Sequence, residues 1–464
     1  MSFQISDSFL DTVRHALEAG EGERLREIFY EMHPADVAEV LNDLEEEEAV
    51  AAYKFLDEEV AAETLLLLED DIREKILEGL SSKEIAEQLI DNLQSDDAAD
   101  VLSELSDEQQ DEVLSHVEDV DQASDIVDLL NYDEDSAGGV MAKELVKVHL
   151  NKNVWECIRE IRNQADEVKN IYTIYVVDDD EKLVGLLSLK SLLTKNLRTP
   201  IIEVYIPDFI SVKTNTPAEE VAMLMDKYDL VVIPVVDSLN RLVGRITFDD
   251  MVDVIREENT EDAQKMGAVE ALEEPYMATP FWQMIRKRVG WLVILFVGET
   301  LTATAMSFFQ DQIAKAVILA IFVPLIISSG GNSGSQATSL IIRALALGEI
   351  TVRDWWKIMK KEFQSGLVLG IILGVIGFCR VALWSNFVQD YGPHWMIIGI
   401  TVGVALVGVV LWGTLTGSLL PLLLKRVGLD PAVSSAPFVA TLVDVTGLVI
   451  YFTVSILLLR GIIL

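Results

Sequence analysis

Three ionisable residues stand inside stretches otherwise suited to hydrocarbon: Asp444 in VATLVDVTGLVIYF, Glu299 in VGETLTATA and Arg380 in GFCRVALW. A charge at that depth is expensive, so such residues face a protein interior or a water-filled path and point to ion or substrate routes. Asp444 has small and hydroxyl neighbours. The competing reading, a carboxylate satisfied by Thr441 or Thr446 of its own helix, explains less well why the charge is there at all. For Glu299 and Arg380 a structural polar contact is an equal alternative. A second unusual stretch, PLIISSGGNSGSQATSLIIR from Pro324, sets paired glycines, Asn332, Gly334 and Gln336 inside an apolar run. Backbone loosened by glycine is tolerated at membrane depth only where protein buries it or water lines it. A small-residue packing seam would explain the glycines but not the two amides.

The elements that must position these residues are apolar runs long enough to cross a hydrocarbon core of about 30 Å, which takes roughly 20 helical residues. Five occur, at about Val289 to Phe309, Ile313 to Ile342, Gly366 to Trp384, Trp395 to Leu424 and Val433 to Leu459. The second and fourth are long and contain Pro324 and Pro421, where a helix can bend or break. Lys and Arg are retained on the cytoplasmic side. They cluster at Arg286 to Arg288, between Arg343 and Lys361, and at Lys425 and Arg426, whereas the opposite loops carry Asp311 with Lys315 and Asp390 with His394. This predicts a multi-pass protein of the cell (inner) membrane with its N-terminus in the cytosol and its C-terminus outside.

Of the chain's 76 acids and 36 bases, 68 and 23 respectively precede residue 281, a net charge of −45 before the first span. Such a region repels nucleic acid and attracts cations. Only Cys157 and Cys379 are present, one in each half, which excludes a disulfide framework or a thiolate metal site within one chain. The start, MSFQISDSFLDTVRH, lacks the apolar core of a signal peptide. No Walker-type phosphate loop and no Ser-His-Asp or Cys-His grouping appears, so neither a pump nor an enzyme is expected.

Residues up to about 130 read as short amphipathic helices, as in HPADVAEVLNDL, SSKEIAEQLIDNL and SDDAADVLSEL, each opened by a capping residue. Asp96 and Asp100 fall one turn apart on one such helix, where like charges are mildly destabilising and a bound cation would reverse the sign. Two segments then repeat at an offset of 59 residues, IYVVDDDEKLVGLLSLKSLL from Ile174 and IPVVDSLNRLVGRITFDDMV from Ile233. Each is a strand, an acidic turn, a second strand through a glycine and a helix. The duplication resembles a tandem CBS pair. Thr247 and Asp250 of the second copy have the spacing by which such domains contact an adenosine ribose, whereas the first copy has Ser188 and Ser191, so at most one nucleotide site is expected. A structural role for Thr247 and Asp250 is the stronger reading. Beyond the repeat, Asp250, Asp253, Glu257, Glu258, Glu261 and Asp262 crowd the start of a helix that leads into the first span. Two carboxylates about 4 Å apart repel by roughly 4 kcal/mol at an effective dielectric near 20, and a divalent ion turns that repulsion into a clamp.

Taken together, the chain resembles the MgtE family of magnesium channels, most specifically through GGNSGSQATSLIIRALALGE, GLDPAVSSAPFVATLVDVTGLVIYF and TEDAQKMGAVE. The resemblance implies a multidomain membrane protein: a superhelical N domain (1–132), an α/β tandem CBS pair (133–258), a connecting helix (259–285) and an all-α five-helix pore domain (286–464). It implies a homodimer in the lipid bilayer, with Asp444 of each subunit as the pore carboxylate, an oxygen near Ala440 and a broken helix around Asn332 completing the path. It assigns regulatory Mg2+ to Asp96, Asp100 and Glu63 in the N domain, to Glu219, Asp229, Asp250 and Asp253 in the CBS pair, to Glu258, Glu261 and Asp262 on the connecting helix, and to Asp430. The implied function is Mg2+ influx, gated shut when cytosolic Mg2+ binds among these acids, with the segment from Pro275 to Arg288 swinging when it leaves. ATP at the CBS pair is a further ligand to test. Two rivals are a nucleotide-regulated transporter of another ion and a membrane-anchored sensor that transports nothing.

Overall fold

Ten α-helices and one 3₁₀ turn fill the stretch from Asp7 to Leu129, because capping residues recur too often for any helix to run long. Ser81 with Glu84 and Ser106 with Gln109 form reciprocal caps that open helices of 7 and 8 residues. Helices this short are marginal alone and persist through packing. Their apolar stripes supply that packing, with Leu25, Phe29, Leu41, Leu65, Ile76 and Leu102 all buried. The computed structural model describes every residue except 1–4, 31, 165–167, 169, 273–275, 278, 386–392 and 463–464. Pro275, Asp390, the first four residues and part of the first repeat's leading helix therefore lie outside the described residues. The chain divides into two compact units, Met1–Arg256 and Glu257–Leu464.

Within the first unit the duplicated segments fold alike. Strands β1 (Lys147–His149), β2 (Ile174–Val177) and β3 (Leu183–Leu187) form one sheet, and β4 (Val212–Lys213), β5 (Val232–Val236) and β6 (Leu242–Thr247) another. In each, the leading strand runs parallel to the middle one, which pairs antiparallel with the last. Gly185 and Gly244 hold equivalent register positions, opposite Val176 and Val235. The helical region and the second copy share one core, in which Leu102, Val113 and Ile126 join Val221, Ile233 and Met251. Cys157 is buried in the separate core of the first copy, where burial pushes its thiol up to about 12.

Among the described residues of the second unit, five helices are long and apolar enough to cross a membrane: Phe281–Phe308, Val317–Ala346, Val352–Trp384, Trp395–Arg426 and Ala436–Leu459. Two expectations about them need correcting. Pro324 does not bend the second span. A 3₁₀ segment, Val317–Phe322, precedes the α-helix Val323–Ala346, and Pro324 sits in that helix's first turn, where its missing N–H costs nothing. Nor is the helix broken around Asn332; it runs through without interruption. Its glycines serve close packing instead. A methyl group added at Gly413 would lie 2.3 Å from the Gly330 carbonyl oxygen, and one at Gly417 would lie 2.2 Å from that of Gly334. Ser333 and Thr414 hydroxyls meet at 2.7 Å across the same seam, and Thr338 Oγ1 donates to the Gly417 carbonyl at 2.9 Å. Pro421 lies inside the fourth helix without ending it. The first span is different: of its side chains only Thr302 is buried.

Candidate cation sites

The fifth span presents Asp444 on a face shared with Ala440, one turn earlier, and Gly331 of the second span borders that face. A methyl group at Gly331 would lie 3.4 Å from both Asp444 Oδ1 and Ala440 Cβ, in van der Waals contact with each, so this glycine borders the carboxylate directly. The first span closes in one residue away. Gly298 carries no side chain, and a methyl there would lie 2.6 Å from Thr441 Cγ2. The next residue, Glu299, brings its carboxyl within hydrogen-bonding reach of Asp444.

The alternative reading of Asp444, satisfaction within its own helix, does not hold. Thr441 Oγ1 donates to the Pro437 carbonyl at 3.0 Å, and Thr446 Oγ1 to that of Leu442 at 2.8 Å. Among the described residues no hydroxyl, amide or base donates to Asp444. A half-buried carboxylate without donors, facing a second carboxylate, is a site of negative potential that a cation neutralises. Asn332 and Gln336, a turn apart on the second span, are both exposed on the unit taken alone. Arg380 lies with its guanidinium 3.9 Å from the Trp384 ring centre, a cation–π contact within its own helix.

A second acidic site lies in the first unit. Ser95 opens a helix whose Asp96 is buried, and Ser95 is itself clamped: its N–H and Oγ donate to Glu144 at 2.9 Å each. Arg245, also buried, donates to the Glu144 carbonyl at 2.6 Å and to Gln94 Oε1 at 2.9 Å, which ties the second sheet to this helix. Asp96 consequently feels Asp97, Asp250 and Glu144. Burial first, and then these neighbours, hold its carboxyl well above the ordinary carboxylate range. Burial likewise raises Asp250, against the hydrogen bonds it accepts from Thr247 N at 3.1 Å and Thr247 Oγ1 at 2.6 Å. Thr247 and Asp250 thus satisfy each other at the start of the helix Phe248–Met266, which is the connecting helix here; it begins earlier than the expected 259–285 and ends at Met266, and the next helix starts at Phe281.

The remaining acids singled out in sequence are more dispersed. Asp100 is exposed while Asp96 is buried, although they share a helix. Glu63 is half-buried on a separate helix, Glu58–Leu65. Glu219 is exposed in the first turn of Ala218–Tyr228, and Asp229 ends that helix in the left-handed conformation, φ 52°. Asp253 is exposed and paired with Arg256 at 3.2 Å, and Glu258 and Asp262 are half-buried. Glu261 and Asp430 do meet, but around Lys265, whose ammonium lies 2.5 Å from Glu261 Oε1 and 2.7 Å from Asp430 Oδ2. Burial works against that ammonium, and the two carboxylates outweigh it, so Lys265 is held above its ordinary value. An ammonium already fills this place, so the pair does not fit a metal ion in this arrangement. Among the described residues no three Asp, Glu, His or Cys side chains converge as a metal centre. The all-oxygen donors around Asp96 suit a hard cation that keeps several waters.

Sequence reasoning missed the Glu299–Asp444 contact, the Lys265 bridge and the Glu144–Arg245 junction. The first had a signal, since both acids are isolated in apolar runs. The other two join groups 165 and 101 residues apart with nothing local to mark them.

Family models match along most of the chain: "MgtE intracellular N domain" over residues 32–135, "CBS domain" over 137–197 and 201–257, and MgtE, "Divalent cation transporter", over 323–454. The magnesium transporter MgtE of Thermus thermophilus is 37% identical over 97% of this chain and 98% of its own length. That of Enterococcus faecalis is 33% identical over 73% of each. Among solved structures, the cytosolic domain of a Mg2+ channel MgtE in complex with ATP is 35% identical and covers 53% of this chain and 99% of its own, with a TM-score of 0.49.

Proposed function

Because this chain belongs to the MgtE family of divalent cation transporters and not to any class of enzyme, we propose that it carries Mg2+ into the cytosol along a path at Asp444. The observation that carries the reading is that carboxylate, set beside Gly331 and Ala440 with no donor of its own. Mg2+ sheds water reluctantly and prefers octahedral oxygen. A negatively charged opening with carbonyl and amide oxygens nearby, Asn332 among them, holds the ion with much of its hydration intact. In a homodimer each subunit would supply one Asp444 about the two-fold axis. The exposed amides of Asn332 and Gln336 favour such an assembly, since polar groups in a span turn toward protein or water rather than lipid. The basic clusters support a cytosolic N-terminus and an external C-terminus. The membrane potential, worth about 2.3 kcal/mol per elementary charge per 100 mV, then drives a doubly charged ion inward.

Gating by cytosolic Mg2+ follows from the acids of the first unit. Bound ions would neutralise Asp96 and Asp250, and the change would reach the first span through the connecting helix. Moving a two-state gate from nearly shut to nearly open takes about 5.5 kcal/mol of differential binding, which several ions can supply together. ATP at the CBS pair would act on the same equilibrium. The test is flux into lipid vesicles containing the purified chain and a Mg2+-sensitive dye. The wild type is expected to conduct and Asp444→Asn to lose at least nine-tenths of the flux; a conducting Asp444→Asn protein would refute the assignment of the path.

A further inference from the structure

We propose that Glu299, on the first span, is a second carboxylate of the permeation site and holds the divalent ion jointly with Asp444. The inference rests on the reading of Asp444 as the path's carboxylate and adds a residue to it. Glu299 is the lone ionisable side chain between Val289 and Phe308. The helix around it is exposed and apolar, with Leu292, Val293, Phe296 and Leu301 all more than half exposed on this unit. A carboxylate on such a helix is tolerated only where it finds a polar path. The nearby hydroxyls do not supply one: Thr300 Oγ1 donates to the Val297 carbonyl at 2.6 Å and Thr304 Oγ1 to that of Thr300 at 2.9 Å.

What Glu299 does meet is Asp444, and the backbone is arranged for the meeting. Gly298 lets the first span approach Thr441 more closely than any side chain would allow. Two acids brought together from separate helices match the charge of a divalent ion, whereas Asp444 alone would leave half of it uncompensated within one subunit. A monovalent ion gains less from the pair. Glu299 is therefore expected to set affinity and the preference for divalent over monovalent cations.

The experiment measures Mg2+ flux against external Mg2+, and Mg2+ flux against K+ flux, for the wild type, Glu299→Gln, Glu299→Asp and Asp444→Asn in the same vesicles. Glu299→Gln is expected to raise the half-saturating Mg2+ concentration about tenfold and to lower the Mg2+ to K+ ratio, as loss of one screened charge contact predicts. Glu299→Asp should retain most of both. Unchanged half-saturation and selectivity in Glu299→Gln, with Asp444→Asn inactive, overturns this proposal and leaves the Asp444 path standing. Full flux through Asp444→Asn sinks the path itself and this proposal with it. Should Glu299→Gln conduct nothing, Glu299→Asp decides: recovery supports a required carboxylate, and continued silence overturns the assignment.

Discussion

Burying a carboxylate among other carboxylates costs free energy that a proton or a cation can return, and Asp96 is in that position. Its raised pKa means that the folded chain favours the protonated form. The stability it contributes is fully present below the unfolded value, about 4, and is lost as pH rises through the folded value. In metal-free buffer, the protection of the Ser95–Ser103 amides of the full-length protein, measured as exchange relative to the intrinsic rate at each pH, should fall as pH climbs from about 4 toward neutrality, and millimolar Mg2+ should restore it. Asp96→Asn should abolish both dependences. Protection that changes with pH equally in the wild type and Asp96→Asn would show that Asp96 is not a titrating member of the unit. At this scale the sequence disclosed which acids are unusual but not whom they meet. Asp444 and Glu299 were conspicuous in apolar runs, yet their contact joins helices 145 residues apart. Lys265, which nothing local in the sequence marks, occupies the space between Glu261 and Asp430.

At the scale of elements, periodicity located the spans, the repeated hairpins and the short N-terminal helices, since each rests on a local pattern. The leading strands β1 and β4 escaped it because 3 and 2 residues cannot show alternation. The glycine-rich second span was ambiguous for a different reason. The same residues suit a broken helix or a tight crossing, and the choice lies with Gly413 and Gly417 about 80 residues later. That crossing yields a sharp expectation. A methyl at Gly417 would meet backbone, the Gly334 carbonyl carbon at 2.8 Å as well as its oxygen, and neither can rotate away. Gly417→Ala should destabilise the protein by about 1–3 kcal/mol, the usual cost of overpacking. Gly408→Ala, whose methyl would meet only the Ile450 Cγ2 methyl, at 3.3 Å, should cost much less. Thermal unfolding of the detergent-solubilised chain compares them, and equal losses would mean that the seam is not what holds the second and fourth spans together.

The whole molecule is divided by charge as sharply as by hydropathy, with −45 ahead of residue 281 and +5 after it. The field of many exposed acids attracts cations at long range, apart from any one contact, and the proposed Mg2+ binding would draw on it. Exposed charges are screened beyond about 10 Å at 0.1 M salt and about 3 Å at 1 M. Raising KCl across that range should increase the Mg2+ needed to protect Ser95–Ser103 from exchange several-fold, and should change flux at saturating external Mg2+ little. A salt-independent requirement would assign the effect to a few enclosed ligands instead.

The two cysteines add a practical consequence. One thiol is sealed in the core of the first repeat and resists ionisation, whereas the other, Cys379, lies on an open face of the third span. In detergent, a maleimide fluorophore therefore has Cys379 as its candidate position, on the third span and outside the first unit, whose acids would sense the ion. The unaltered protein can thus report on movements of its own membrane helices, with no engineered attachment point.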